Sequence, residues 1–162
     1  MDRIWAPWRM DYIESSKKPG CVFCEKSQSK KDKKNLILYR GMETFILMNL
    51  YPYTNGHLMI APYLHTSDVN ELTEIANKEI MKFAKDCFNI LKSKLGAEGF
   101  NFGANLGKVA GAGIDQHIHY HIVPRWSGDT NFMPVISDTK VMIEKLNKTW
   151  ERLKPEFSQI NL

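Results

Sequence analysis

An α+β fold built on a five-stranded antiparallel sheet, with one long helix and a C-terminal helix, is predicted for this chain from three observations. First, residues 117–123 read His-Ile-His-Tyr-His-Ile-Val, with histidine at every second position. On a strand that period puts His117, His119 and His121 on one face and Ile118, Tyr120 and Ile122 on the other. A helix would swing His119 away from its two partners. Second, Leu72, Ile75, Ala76, Ile80, Phe83, Cys87, Phe88, Leu91 and Leu95 keep helical spacing. Third, short apolar runs bounded by turn residues lie on both sides of that helix, which favours an antiparallel sheet over βαβ units.

The elements follow in order. Residues 1–20 are rich in aromatics (Trp5, Trp8, Tyr12) and are expected to pack on the body of the protein. Leu36–Tyr39 and Thr44–Leu50 read as two strands joined by a turn at Arg40-Gly41. Thr54-Asn55-Gly56 has turn chemistry, and His57–Ala61 is a third strand ended by Pro62. Ser67 or Asp68 caps the long helix, which runs to Leu95 and stops at Gly96. Gly99–Leu106 alternates as a fourth strand, and 107–116 is a glycine-rich loop. The histidine strand is fifth, its β-branched residues and the following Pro124 favouring extended backbone. Residues 138–154 read as the C-terminal helix. The expected organisation is one domain over 1–162, with an N-terminal region 1–35, a core 36–135 and a C-terminal helical extension 136–162.

Composition narrows the class. At 162 residues, 43% apolar and 25% charged, the chain can build a core without disulfides. No apolar run approaches a membrane span, and the charges of Asp2, Arg3, Arg9, Asp11 and Glu14 do not suit a signal peptide. Much of the net charge of +4 lies in Lys30-Lys31-Asp32-Lys33-Lys34, which reads as a solvated loop. No nucleic-acid-binding motif is present. The three cysteines, an odd number, fit a reducing compartment and a cytoplasmic location. Cys87 falls on the apolar side of the helix and reads as core. Cys21 and Cys24 form Cys-x-x-Cys after Pro19-Gly20. Such a pair serves redox or metal chemistry, or neither. Its place before any strand suits a zinc knuckle better than a redox motif, and the histidines can supply the two further ligands of a closed tetrahedral site.

Histidine is only 5 of 162 residues, and three stand within five positions, with His57 and His65 together upstream. All five therefore point to one site. Neutral imidazole is a good nucleophile toward phosphorus, and Gly107, Gly111 and Gly113 let backbone N–H groups approach phosphate oxygens. Three clustered histidines also suggest a catalytic metal centre, a reading weakened by the lack of any carboxylate nearer than Asp115.

These motifs resemble the histidine triad (HIT) superfamily of nucleotide hydrolases and transferases. Residues 117–123 match its His-φ-His-φ-His-φ-φ pattern. Residues 49–65, from Asn49 through Pro52, Gly56 and His57 to Pro62 and His65, look like its Asx-x-x-Pro-x-x-x-Gly-His…Pro-x-x-His segment. Asn101–Gly107, Pro124–Met133, Trp5-Ala-Pro-Trp-Arg9 and the Cys-x-x-Cys are similar to the bacterial branch that includes diadenosine tetraphosphate phosphorylases and hydrolases. The likeness spans roughly residues 3–135 and implies a HIT-like fold. It implies that His119 attacks an α-phosphate to form a nucleotidyl-histidine, with His117, His121 and His57 touching phosphate or orienting the nucleophile. It places Asn49 on ribose, and Asn105, Gly107, Gly111, Gly113 and Gln116 about the phosphates. The better-known branches carry Gln-Ser or Gln-Thr where this chain has Gly113-Ile114, so backbone amides or Gln116 would substitute for a hydroxyl. Apolar residues of 45–50 would line a base pocket of loose selectivity. The likeness further implies a structural Zn(2+) on Cys21, Cys24, His65 and His117, a nucleotide substrate and a homodimer. A nucleotide-binding interaction module with little turnover, or an adenosine phosphoramidase, is the competing reading.

Overall fold

The structure, a computed structural model, describes residues 20–129 and 142–160. The aromatic N-terminal segment, the Trp5–Arg9 motif, the end of the 124–133 motif and the first residues of the expected C-terminal helix lie outside the described residues. Five strands form one antiparallel sheet: β1 Ile37–Arg40, β2 Thr44–Met48, β3 Leu58–Pro62, β4 Gly99–Ala104 and β5 Tyr120–Arg125, in the order β1-β2-β3-β5-β4. Two short helices precede it, α1 Val22–Gln28 and α2 Asp32–Asn35. The long helix α3 is Glu74–Leu95, and α4 is Leu146–Phe157.

Period two sorts the side chains of the sheet onto two faces. Ile46, Met48, Leu58, Ile60, Ile118 and Ile122 pack with Ala76, Ile80, Phe83, Cys87 and Leu91 of α3 and with Leu153 and Phe157 of α4. Phe45, Leu47, Met59 and Ala61 turn the other way, onto Phe23 of α1. Both faces of β2 and β3 are thus covered, and every residue of these two strands is buried. That explains their unbroken apolar runs, which a half-exposed strand would not need. No helix among the described residues is long and apolar enough to cross a membrane.

Several boundaries differ from the sequence reading, each for a local reason. The long helix does not start at residue 67 or 68. Asp68 instead caps a single 3₁₀ turn, Val69–Glu71, accepting from the Asn70 backbone N–H. Thr73 caps α3 by accepting from the Ala76 N–H. Two good caps five residues apart compete, and the second wins the α-helix. Ile75, counted with the apolar stripe, is exposed. Gly96 does end the helix, in the left-handed conformation. The lysine run is not a loop: Asp32–Asn35 is helical, ended by Leu36 with φ 59°. Arg40 grips this segment, donating to Asp32 Oδ1 and to the carbonyls of Ser27 and Ser29. The fifth strand's ladder begins only at Tyr120. His117 and His119 keep the alternation, but ahead of it.

One buried carboxylate ties α3 to the β1–β2 hairpin. Glu79 accepts from the backbone N–H groups of Met42, Glu43 and Thr44 and from the Thr44 hydroxyl, at 2.7–3.0 Å. Gly41 leaves the room for it; a Cβ there would stand 2.7 Å from Glu79 Oε1. Glu79→Ala would leave buried donors without an acceptor. We expect a loss of about 3 kcal/mol, read as a fall of roughly 6–12 °C in Tm.

Candidate functional site

The face opposite α3 carries the histidines and a cleft. Met59 on β3 pairs with His121 on β5 and with Leu47 on β2, so the three side chains form one row across the sheet. Above that row α1 lies as a roof. Its Phe23 ring stacks at a tilt on His119 and His117, with centroids 4.7 and 5.1 Å away. Between roof and row is a cleft of about 830 Å³, including its open mouth. It is lined by His119 and His121, by Leu47, Leu50 and Met59, and by Val22, Phe23 and Lys26 of α1. The loops add Asn49, Tyr51, Tyr53, Asn105, Gly111, Gly113 and Ile114.

Hydrogen bonds assign the state of each imidazole, because a backbone N–H can only donate and a carbonyl can only accept. Tyr53 N–H donates to His57 Nδ1 at 3.0 Å. Neutral His57 therefore carries its hydrogen on Nε2, which lies 3.0 Å from His121 Nδ1 and donates to it. His121 in turn holds its hydrogen on Nε2. His119 Nδ1 lies 2.9 Å from the His117 carbonyl and donates to it, which leaves the lone pair on Nε2. Burial pulls the pKa of His119 below the ordinary histidine value, opposed by that carbonyl. His119 is thus a neutral, pre-oriented imidazole on the wall of a cleft.

His117 faces elsewhere. Its Nε2 donates to the Pro62 carbonyl at 2.9 Å, leaving the Nδ1 lone pair for a second cluster. Cys21 Sγ is 3.3 Å and Cys24 Sγ 3.6 Å from His117 Nδ1. His65 Nδ1 is 3.2 Å from His117 Nδ1 and 3.4 Å from Cys24 Sγ. All four ligand atoms lie within 4.8 Å of one another. A tetrahedral zinc site, with bonds of about 2.3 Å to sulfur and about 2.0–2.1 Å to nitrogen, has N···N edges of about 3.3 Å and N···S edges of about 3.5 Å. The spacing and the Cys₂His₂ donor set therefore fit zinc. The carbonyl behind His117 is the outer partner that such a ligand ordinarily has.

The structure brings Asn49, Asn105, Gly111, Gly113, His119 and His121 to one cleft, with His57 directly behind His121. Asn49 also organises its own loop, accepting from the Tyr51 N–H at 2.9 Å, and Asn105 Nδ2 donates to the Gly111 carbonyl. Gly107 and Gln116 are exposed and are not among the residues lining the cleft. Of the apolar residues in 45–50, Leu47 and Leu50 reach it, while Phe45 belongs to the packed cluster beneath α1. The sequence reading missed the roof: Val22, Phe23 and Lys26, together with Tyr51, Tyr53 and Ile114. Val22 and Lys26 are one helical turn apart, a spacing visible in the sequence once α1 is taken as helical.

Comparison with known proteins agrees with this geometry. The family described as HIT domain matches residues 30–128. AP-4-A phosphorylase of Mycobacterium tuberculosis is 36% identical over 168 aligned residues, covering 98% of this chain and 86% of that protein. Bis(5'-adenosyl)-triphosphatase of Dictyostelium discoideum is 26% identical, covering 72% of this chain and 77% of that one. Among solved structures, a Zn-bound histidine triad family protein from Mycobacterium smegmatis superposes with a TM-score of 0.66 at 23% identity, over 86% of this chain and 94% of that one.

Proposed function

This chain belongs to the HIT domain family, and on that premise we propose that it is a nucleotide phosphorylase or hydrolase cleaving dinucleoside polyphosphates at an α-phosphate through His119. The observation that carries the reading is the pairing of His119, its Nε2 lone pair left by the bond to the His117 carbonyl, with His121, whose hydrogen stands on Nε2. Both line one cleft whose other end is apolar. A nucleotide fits such a cleft with its base at the Leu47–Met59 end and its α-phosphate at the histidines. Asn49 then reaches the ribose, and Asn105 and the Gly111–Gly113 backbone the phosphates.

The chemistry balances with the groups at hand. The His119 Nε2 lone pair forms a bond to the α-phosphorus as the bond to the bridging oxygen breaks, and that oxygen leaves with the electron pair. His121 Nε2–H donates to the phosphate oxygens on which charge accumulates, backed by His57. An acceptor oxygen then attacks the same phosphorus and restores the imidazole. Orthophosphate is the favoured acceptor, supported by the similarity to AP-4-A phosphorylase over nearly the whole chain; water would make the same site a hydrolase.

Cys21, Cys24, His65 and His117 would hold a zinc ion. When bound, zinc supplies no open coordination position to substrate, only a rigid tie between α1 and the segment that carries His119. A second copy of the chain, forming a homodimer, is proposed from the family likeness.

Incubation with diadenosine tetraphosphate, with and without orthophosphate, tests the assignment by product mass. ADP plus ATP formed only with phosphate identifies a phosphorylase, and AMP plus ATP without it a hydrolase. No turnover in either mixture would favour a binding module or a smaller adenylate conjugate as substrate.

His119→Ala should lower turnover by roughly 10³-fold or more while nucleotide binding, measured by calorimetry, stays nearly intact. Retained turnover would sink the covalent route. Cys21→Ser should lower zinc content and Tm before it alters the chemical step. An unchanged Tm and metal stoichiometry, by scanning calorimetry and elemental analysis, would show the ligand set to be wrong.

A further inference from the structure

The base end of the cleft is not wholly apolar. Lys26 lines it from α1, one turn beyond Val22 and on the same side of the helix. Its position along the cleft follows from the course of α1. The helix starts at the Cys21–Cys24 cluster beside His117 and ends at Ser27 and Ser29, whose carbonyls accept from Arg40 at the end of β1. Lys26 therefore lies toward the end of α1 that Arg40 of β1 holds.

The side-chain amine of Lys26 makes no hydrogen bond or ion pair among the described residues. It is half-buried, and burial lowers its pKa below the ordinary lysine value. Among the described residues no carboxylate lines the cleft. With no acceptor among the described residues, this amine on the cleft wall is a donor open to a ligand acceptor.

We propose that Lys26 reads the base of the bound nucleotide and favours a 6-oxopurine, extending the substrate range to guanosine-containing dinucleotides. This rests on the nucleotide reading above. An ammonium has three donors and no acceptor. Guanine presents O6 and N7 side by side as acceptors, whereas adenine sets an amino donor beside N7. The charged donor gains from the first edge and meets a like donor on the second. Shape and apolar contact with Leu47, Met59 and Phe23 serve both purines equally, so the discrimination falls on Lys26.

The test is calorimetric binding of GMP and AMP to the whole zinc-loaded protein and to its Lys26→Met and Lys26→Arg variants. Methionine keeps the length of the side chain in an apolar setting, so the fold is expected to hold; unchanged Tm verifies it. A hydrogen bond from a charged donor corresponds to roughly ten- to a hundredfold in affinity. The expected result is a GMP-over-AMP preference in the parent protein, a fall of about tenfold in that preference in Lys26→Met, and its retention in Lys26→Arg. The same preference in parent and Lys26→Met would overturn the role of Lys26 while leaving the nucleotide site standing. No binding of either nucleotide by the parent would overturn the nucleotide reading, and this proposal with it.

Discussion

One peptide carbonyl, that of His117, joins the two clusters of this protein. It accepts from His119 Nδ1 and so decides which nitrogen of His119 keeps its lone pair. Its own position is set on three sides. The His117 ring donates to the Pro62 carbonyl, its other nitrogen lies among the cysteine sulfurs and His65, and the next residue, Ile118, donates its backbone N–H to the Thr66 carbonyl at 2.6 Å. A displacement of the sulfur cluster would therefore reach His119 through a single residue. This gives the cysteines a reason to sit at α1: the element that would be tied by the metal is also the one whose Phe23 roofs His119.

The sheet separates stability from chemistry by its pleat. Ile118, Tyr120 and Ile122 look toward α3, and their neighbours His117, His119 and His121 look toward α1. The α3 face is a continuous apolar core closed by α4, which also covers the edge of β1. Trp150 Nε1 donates to the Ile37 carbonyl and Lys154 Nζ to that of Leu38. An edge strand satisfied in this way is poorly placed to pair with another chain. On the cleft side, packing is dense only beneath α1, where Phe23 meets Phe45 and Ala61, and gives way to open space over Leu47 and Met59. Gly56 helps hold the far end of the strands to α3. It has φ +78°, and a Cβ there would come within 2.5 Å of Leu95 Cδ1.

Much of this was legible because it depends on period and on rare residues. The alternation of histidine and the stripe from Ala76 to Leu91 placed the sheet, the long helix and the chemical face. The start of β5 was not legible, since the Ile118 N–H bonds to the Thr66 carbonyl instead of a ladder partner and the ladder begins only at Tyr120. Leu36 was hidden for a related reason: a left-handed leucine has no sequence signature, and it moved the start of β1 by one residue. Within the cleft, histidines and loop glycines announce themselves. Lys26 does not, because a lysine in a basic stretch looks solvated until the helix that turns it inward is known. The role of Glu79 was equally invisible, as its four donors come from a turn far away in sequence.

The electrostatics of the cleft bear on how a polyanion could both enter and leave. Among the described residues lining it none is a carboxylate, so an incoming polyphosphate meets no like charge from them. The donors around the histidines are neutral, their polarity set by one backbone N–H, that of Tyr53, through His57 to His121. Neutral donors strengthen as charge develops on the phosphate and release it once the charge has departed. A fixed cation at the same place would hold the leaving polyphosphate after the bond had broken. Among the described residues of the wall the one positive group is Lys26, on α1. In the proposed binding mode it bears on the base. On the proposed function, the charge that would select the base is thus distinct from the dipoles that would act on the phosphate.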